Sequence, residues 1–301
     1  MWWIKPIRIF KKGMNNIKTI GLVLNSEKDN SLKVSKEMIK LIKEKKLDYL
    51  LEKEGAEKLN LNHKKASYEE LRTKADLIIL LGGDGTFLHT SLNFIGTDVP
   101  LMGINLGKIG FLTEVETNEL EEALTHLVNG NYKVESRNTL KVTLLRNNKK
   151  AQKRSAVNDV VINRGADGQM LKVDMHINSE FVNSYRGDGI IVSTPTGSTA
   201  YSFSAGGPII NPQVKALLIT PLNPHAVHVK PMVISDEEVI EIAVKGEKDK
   251  IYLTTDGRNS IKVIEGDIVR IESSEDELSL IKFPDRTFYT ILRNKMRVGL
   301  V

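Results

Sequence analysis

The sequence contains no cysteine, which excludes disulfide scaffolds, cysteine-ligated zinc, iron–sulfur clusters and cysteine nucleophiles. No run approaches the roughly 18 consecutive apolar residues that a membrane span needs. The apolar start, Met1–Pro6, is too short and interrupted for a signal peptide, and residues 1–13 look like an extension. Glycine (22) and proline (9) are present in ordinary numbers, which excludes collagen-like and wholly disordered chains. We therefore expect a cytoplasmic protein without a membrane partner.

The excess of one charge sign is also small, because 43 Lys and Arg residues against 38 Asp and Glu residues leave a net charge of only +5. The basic stretches Lys43–Lys46 and Lys149–Arg154 lie among acidic and polar neighbours, as solvated surfaces do. We expect no nucleic-acid partner, although a mildly positive field suits an anionic small molecule.

The 301 residues are enough for about two domains. In the first half, short apolar runs alternate with amphipathic helices, which predicts an open, mostly parallel α/β sheet. The segments are the strands Ile20–Leu24, Leu77–Leu81 and Leu101–Ile104, a helix around Val34–Ile42, a capping box at Ser67–Glu70, and the helices Thr86–Asn93 and Glu119–Val128.

After about residue 138 apolar residues recur with period two, which predicts a mostly antiparallel β domain. A strand over Val173–Ile177 turns at Asn178-Ser179, Ile261–Ile271 has the pattern of a hairpin, and a short helix is expected after Thr199. The predicted organisation is an α/β nucleotide- or phosphate-binding domain over 14–138 and an all-β substrate-binding domain over 139–274. A C-terminal tail over 275–301, with a strand at Leu280–Phe283 and a mixed segment after it, packs back on the first domain.

Gly82-Gly83-Asp84-Gly85-Thr86 lies between a buried strand and a helix. Three glycines allow positive φ and close approach of a ligand, and the helix N–H groups would face a phosphate. A carboxylate in a phosphate cradle repels its ligand unless it binds a metal ion or accepts a proton. The alternative is a tight turn in which Asp84 caps the helix. Two familiar nucleotide motifs fail: Gly103–Ile109 has the wrong P-loop spacing, and Leu88 replaces the third glycine of a dinucleotide fingerprint.

A second dense stretch runs from Arg186-Gly187-Asp188-Gly189 to Pro208 and is rich in hydroxyl groups between Ser193 and Ser204. Its hydroxyls suit ribose, amide and phosphate groups, and its half-apolar later part favours a pocket wall over a surface loop. Asn158-Asp159 interrupts an apolar strand and needs partners, either a ligand or an internal network. Asp256-Gly257 is typical of an ordinary turn, and His225 and His228 lack the carboxylates of a metal site, so no residue is expected as a dedicated metal ligand.

Together these motifs resemble, in their order, those of NAD kinases from about Met14 to the C-terminus. The Gly-Gly-Asp-Gly-Thr loop is shared with diacylglycerol, sphingosine and phosphofructokinase families, whereas Thr194–Tyr201 is more particular to NAD kinases. The segments that carry the resemblance are Gly82–Thr86, Gly103–Gly107, Gly110–Leu112, Asn158-Asp159, Thr194–Tyr201, Ser204–Pro208, Thr220–His225 and Asp256-Gly257.

The resemblance implies phosphoryl transfer from ATP or polyphosphate to the 2′-hydroxyl of the adenosine ribose of NAD, with a divalent metal ion, expected to be Mg²⁺. It implies that Asp84 is the base or a magnesium-associated carboxylate, and that the subunits form a homodimer or homotetramer. It also implies three groups of binding residues: Gly83, Gly85 and Thr86 at the phosphates; Asn158, Asp159, Thr196, Thr199, Ala200, Tyr201 and Ser204 around the adenosine; and Asp188, with Arg186 beside it, and Asp256 at the nicotinamide end, across a subunit interface.

Three positions depart from the family pattern: Asp159 where Glu is frequent, Arg258 where Gln is usual, and Lys108 at a variable position. Two other functions remain open from the sequence. A lipid kinase would use the same glycine loop with an apolar acceptor cavity, and a non-catalytic sensor would bind the dinucleotide without turnover.

Overall fold

A computed structural model describes residues 11–12, 17–25, 30–107, 110–113, 115–166, 168–247, 250–284 and 286–297. The chain forms two compact units, Met1–Ser136 with Leu278–Val301, and Arg137–Glu277. Most of the extension predicted for residues 1–13, and Lys108, lie outside the described residues. None of the helices that the structure describes is long and apolar enough to cross a lipid bilayer.

The strands, in chain order, are β1 (Lys11–Lys12), β2 (Thr19–Leu24), β3 (Asp48–Glu52), β4 (Lys65–Ala66), β5 (Leu77–Gly82), β6 (Leu101–Asn105), β7 (Val115–Glu116), β8 (Lys133–Arg137), β9 (Leu140–Arg146), β10 (Lys149–Ala156), β11 (Asp159–Arg164), β12 (Leu171–Ile177), β13 (Glu180–Gly187), β14 (Gly189–Ser193), β15 (Ala216–Leu222), β16 (Met232–Ser235), β17 (Ile240–Lys245), β18 (Ile251–Thr255), β19 (Arg258–Val263), β20 (Ile268–Ser273) and β21 (Leu278–Lys282). The α-helices are α1 (Ser31–Glu44), α2 (Lys53–Lys58), α3 (Tyr68–Lys74), α4 (Asp84–Ser91), α5 (Leu120–Val128), α6 (Tyr201–Ser204) and α7 (Phe288–Arg297).

The first unit is built on one sheet in the order β1-β8-β21-β6-β5-β2-β3-β4, with β7 beside β6. The pairs β2–β3, β2–β5, β5–β6 and β6–β21 are parallel. Every residue of β5 is buried, as expected of a central parallel strand with helices on both faces. The predicted capping box forms at Ser67–Glu70, where the Ser67 hydroxyl accepts from the Glu70 N–H. The open α/β sheet is therefore confirmed.

The second unit consists of two antiparallel six-stranded sheets, β10-β9-β20-β17-β12-β13 and β16-β15-β14-β11-β18-β19. Apolar side chains from both sheets form one core, so the period-two pattern places one face of each sheet inside. Leu140, Val142 and Leu144 are buried in this core, and β12 and β13 pair through the predicted turn at Asn178-Ser179. The antiparallel β domain is confirmed.

Two local predictions are wrong, and one segment is now defined. The turn at Glu265–Asp267 joins strands of different sheets, because β19 pairs with β18 whereas β20 pairs with β17 and β9, so Ile261–Ile271 is not a hairpin. The segment after Pro284, where the sequence pattern is only mixed, contains α7, whose first turn is capped where the Thr290 N–H donates to the Thr287 hydroxyl. Asn158 does not lie within a strand, because the chain bends between β10 and β11.

Candidate functional site

The Asp84 carboxylate is held by the loop that follows β6. Oδ2 accepts from the N–H of Phe111 at 2.8 Å, and Oδ1 accepts from the N–H groups of Leu112 and Thr113 and from the Thr113 hydroxyl at 3.0–3.2 Å. Gly110 is required for this approach, since a Cβ there would lie 1.8 Å from Oδ1. Asp84 is the first residue of α4, and the N-cap is Gly83, with no side-chain cap. The interpretation of Asp84 as a helix cap is therefore wrong.

The glycines beside Asp84 do not adopt positive φ, and Gly82 is needed instead for space. Among the described residues, the positive-φ glycines do not include Gly82, Gly83 or Gly85, so that expectation is wrong. A Cβ on Gly82 would come within 2.6 Å of the Thr86 side chain, whereas a Cβ on Gly85 would meet nothing within 4 Å. Gly85 is exposed in the first turn of α4, where backbone N–H groups without intrahelical partners favour an anion.

The C-terminal segment contributes a cation that the sequence analysis missed. Lys282 ends β21, which is parallel to β6, and its ammonium group interacts electrostatically with Asp84. Burial lowers the pKa of Lys282 to about 8, although the Asp84 carboxylate opposes that shift. In α7, the ring centroids of Phe288 and Phe111 are 6.4 Å apart, and Lys295 Nζ lies 4.7 Å from the centroid of the Phe111 ring. The loop that holds Asp84 is thus packed by residues near the end of the chain.

A second group of site residues lies in the second unit, around the start of β11. The Asp256 carboxylate accepts from the N–H groups of Val157, Asn158 and Asp159 at 2.8, 2.8 and 3.1 Å. Burial raises the pKa of Asp159 to about 7, and the nearby Asp256 carboxylate adds to the increase, while the Tyr201 N–H opposes it. Burial also raises the pKa of Asp256, against the effect of its three N–H donors. Two buried carboxylates therefore share this site.

The hydroxyl-rich stretch folds against the same residues. The N–H of Thr194 donates to the Asn158 carbonyl at 2.9 Å, and the Thr194 hydroxyl donates to the Val157 carbonyl at 2.7 Å. A Cβ on Gly197 would lie 2.1 Å from the Asn158 carbonyl oxygen, so this close approach needs glycine. Residues 194–198 are buried, which excludes an ordinary surface loop. Thr199 and Ala200 are half-buried, whereas Tyr201 and Ser204 are exposed.

Two buried side-chain atoms near this group have no hydrogen-bond partner within the described part of the chain: Asn158 Oδ1 and Ser193 Oγ. In the first unit the same holds for Nδ2 of Asn105, whose Oδ1 accepts from the Gly107 N–H. Asn105 pairs with Gly82 across β5 and β6. Unpaired polar atoms are costly in a protein interior, and a ligand can satisfy them.

Arg186 and Asp188 lie apart from the Asp159 group. Ser193 pairs with Asp159 at one end of β14, while Asp188 precedes the other end, about 15 Å away at the usual rise per residue. The Asp188 carboxylate accepts from Arg164 at 2.6 Å and from Asn223 at 2.8 Å, and these bonds hold its pKa below the usual range. Arg186 is exposed. Asp188 therefore lies apart from Asp256 within this chain, and their expected meeting at the nicotinamide end across a subunit interface stays a prediction.

Comparison with protein families covers most of both units. Residues 20–132 match the ATP-NAD kinase N-terminal domain, and residues 157–283 match the ATP-NAD kinase C-terminal domain. The chain belongs to the NAD kinase family. Among NAD kinases, that of Natranaerobius thermophilus is 38% identical over 94% of this chain and 99% of its own length. The NAD kinase of Desulforamulus reducens is 38% identical over 93% of this chain and 97% of its own length.

Solved structures agree with this NAD kinase assignment. An NAD kinase from Archaeoglobus fulgidus in complex with ATP superposes with a TM-score of 0.73 at 26% identity, covering 91% of this chain and 98% of the other. Yeast NADH kinase complexed with NADH has the same fold, with a TM-score of 0.85 at 22% identity, over 93% of this chain and 87% of the other. The family resemblance of the sequence motifs is therefore confirmed, whereas the ligand contacts of individual residues stay predictions.

Proposed function

We propose that this protein is an NAD kinase that transfers a phosphoryl group from ATP to the 2′-hydroxyl of the adenosine ribose of NAD, giving NADP. Membership of the NAD kinase family supports this reaction, and the Archaeoglobus fulgidus relative in complex with ATP supports ATP as the donor. The observation that carries the proposal is the Asp84 carboxylate, held by four hydrogen bonds next to the open Gly85.

Asp84 is suited to accept the proton of the attacking hydroxyl. Oδ1 already accepts three hydrogen bonds, but Oδ2 accepts only that of Phe111 among the described donors, so it keeps acceptor capacity. A ribose hydroxyl is a poor nucleophile at neutral pH, and a positioned carboxylate contributes about 10²–10⁴-fold as a general base. The fixed orientation of the carboxylate removes the need to order it during the reaction.

The phosphate groups need backbone donors and positive charge more than covalent chemistry. We assign the phosphates to the first turn of α4, at Gly83, Gly85 and Thr86, where a missing side chain at Gly85 leaves the backbone accessible. Lys282 adds a positive charge close to Asp84. These contacts orient the donor phosphate and offset its negative charge.

The chemistry of Asp84 is compatible with Mg²⁺. The described residues contain no cluster of three or more acidic or histidine side chains that could hold a metal alone. Kinases usually bind this ion through one or two carboxylates together with substrate phosphates. The remaining acceptor capacity of Asp84 Oδ2 fits that arrangement as the alternative to its role as a base. When bound, the ion would neutralise charge on the phosphate oxygens.

The second group of residues is proposed to bind the dinucleotide. Asn158 and Asp159 would accept from adenosine hydroxyl and amino groups, and Asn158 Oδ1 has no partner among the described residues. The other adenosine contacts would come from Thr196, Thr199, Ala200, Tyr201 and Ser204. Arg186 and Asp188 would contact a more distant part of the dinucleotide, consistent with their separation along β14. Homo-oligomeric assembly and cytoplasmic location remain predictions.

Purified protein is incubated with NAD, ATP and Mg²⁺, and the product is identified by mass spectrometry and ³¹P NMR. The expected product is NADP with a 2′-phosphate, and its formation should cease on chelation with EDTA. Parallel reactions with polyphosphate and with NADH define the donor and acceptor. Binding of NAD without any product would instead indicate a sensor, and phosphorylation of diacylglycerol in place of NAD would indicate a lipid kinase.

A further inference from the structure

The turn that contains Asp256 does not itself require a carboxylate. Asp256 and Gly257 join β18 to β19 as a two-residue turn, with φ of 49° and 69°. Such a turn, with both φ values positive, is favoured by Asn-Gly as much as by Asp-Gly. An asparagine at position 256 would therefore satisfy the local backbone equally well.

The carboxylate instead binds three consecutive N–H groups. Asp256 Oδ2 accepts from Val157, and Oδ1 accepts from Asn158 and Asp159. In addition, the Asp256 N–H donates to the Asp159 carbonyl at 2.9 Å. Successive N–H groups that point at one anion form a nest, and hydrogen bonds to a charged acceptor are stronger than neutral ones. The turn thus fixes the backbone at the point where β11 begins.

This arrangement has an electrostatic cost that an asparagine would avoid. Asp159 is 4% exposed, and its carboxylate lies close to that of Asp256, so two like charges share a desolvated site. The segment that Asp256 holds contains Asn158, which is 9% exposed and whose Oδ1 has no hydrogen-bond partner among the described residues. The fixed backbone therefore presents one unpaired acceptor and one carboxylate.

We propose that Asp256 is a positioning residue, which fixes the backbone of Val157–Asp159 so that Asn158 and Asp159 bind the adenosine part of the dinucleotide. This inference rests on the proposed function. It gives Asp256 a role inside its own chain, in place of the nicotinamide contact that the family resemblance implied. In this role, Asp256 orders the three amides before NAD binds, so that less ordering is needed on binding.

The test is Asp256→Asn, which keeps the size and the turn preference but removes the charge and replaces one of the two acceptor oxygens with an NH₂ group. NAD affinity, measured by isothermal titration calorimetry, should fall about 10- to 100-fold, the loss expected for a charge-assisted hydrogen bond. The turnover number at saturating NAD should change much less than KM. Wild-type affinity should change with pH near 7 as Asp159 titrates. In the variant this change should move to lower pH, because the neighbouring negative charge is gone.

Asp267→Asn is the matched control. Asp267 is 1% exposed, lies in another turn of the same unit, and accepts from Arg146 and from the Ile264 N–H. Its substitution should lower stability, but NAD affinity and its pH dependence should be those of wild type. If NAD affinity fell only through a general loss of stability, it would fall in both variants. If Asp256 positions the binding residues, NAD affinity falls only in Asp256→Asn.

Each outcome decides the proposal. If Asp256→Asn folds and binds NAD with wild-type affinity and pH dependence, the positioning role is overturned. If it does not fold, amide hydrogen exchange of the wild type decides: protection of Val157, Asn158 and Asp159 before NAD is added supports the role, and protection that appears only with NAD overturns it. Wild type that binds NAD but makes no NADP refutes the proposed kinase reaction alone, and wild type that does not bind NAD refutes both.

Discussion

Replacing Asp84 with asparagine separates the charge of this side chain from its shape. The variant amide can keep its oxygen towards Leu112 and Thr113, which supply three donors to Oδ1. Its NH₂ group then faces the N–H of Phe111, which now donates to Oδ2 at 2.8 Å. One charge-assisted hydrogen bond becomes a contact between two donors, which costs about 1.5–3 kcal/mol. At about 2–4 °C per kcal/mol for a unit of this size, we expect Tm to fall by about 3–12 °C.

The effect of Asp84→Asn on catalysis should be larger than its effect on stability. Without a carboxylate to accept the hydroxyl proton, kcat should fall about 10²–10⁴-fold. Initial rates of NADP formation, measured with an NADP-specific dehydrogenase well below the Tm of the variant, give this value. NAD affinity should change much less than kcat, because the other residues proposed to contact the dinucleotide lie in the second unit.

Thr113→Val is the control for the order of the loop. It removes the hydroxyl donor 3.0 Å from Oδ1 but leaves the carboxylate and its three N–H donors. We expect it to lower stability by about 1–2 kcal/mol and to keep kcat within about tenfold of wild type. A folded Asp84→Asn protein with kcat within tenfold of wild type would refute the role of Asp84 as a base. An equal loss of kcat in both variants would assign the effect to loop order.

Three further substitutions test other parts of the site. Gly85→Ala should raise Tm slightly, since alanine is favoured in helices by about 0.5–1 kcal/mol and its Cβ meets nothing within 4 Å. The KM for ATP should nevertheless rise, because the methyl group blocks the phosphates. Unchanged ATP kinetics would contradict a phosphate site at the first turn of α4. Asp159 has a pKa raised from 3.8 to about 7, so the folded protein binds an extra proton between these values and its stability falls as pH rises from 4 to 7. In urea unfolding at pH 4 to 8, Asp159→Asn should reduce this fall to the part that the raised pKa of Asp256 contributes. Lys282 has a pKa lowered from 10.5 to about 8, so the free energy of unfolding should rise as pH increases from 8 towards 10.5. Lys282→Met should abolish that rise. If the variant keeps the pH dependence of the wild type, burial of the Lys282 amine is excluded as its cause.

The elements of both domains could be predicted because their signals are local. A continuous apolar run fixes β5, and the spacing of a hydroxyl and a carboxylate fixes the start of α3. The partners of each strand could not be predicted in the same way. β19 and β20 have the pattern of a hairpin, but they cross between sheets, and period two is the same for either pairing.

The site was found from motifs, whereas its internal contacts were not. Asp84 and Asp256 stand out in the sequence, yet the N–H groups that hold them belong to segments 27 and 97 or more residues away. Backbone donors carry no residue-specific signal, so no pattern could identify Phe111 or Val157 as partners. Lys282 is a single cation at the end of an apolar strand, and only the parallel pairing of β21 with β6 brings it towards Asp84.

The position of β21 has a consequence for folding of the protein during translation. This strand lies between β8 and β6 in the interior of the first sheet, although the whole second unit is synthesised before it. The amino-terminal sheet therefore has a gap during most of translation, and exposed strand edges are prone to wrong pairing. Folding of the first unit can finish only when residues 278–282 have emerged. A nascent chain cut short before them should therefore be insoluble, even though every motif from Gly82–Thr86 to Asp256-Gly257 is already synthesised.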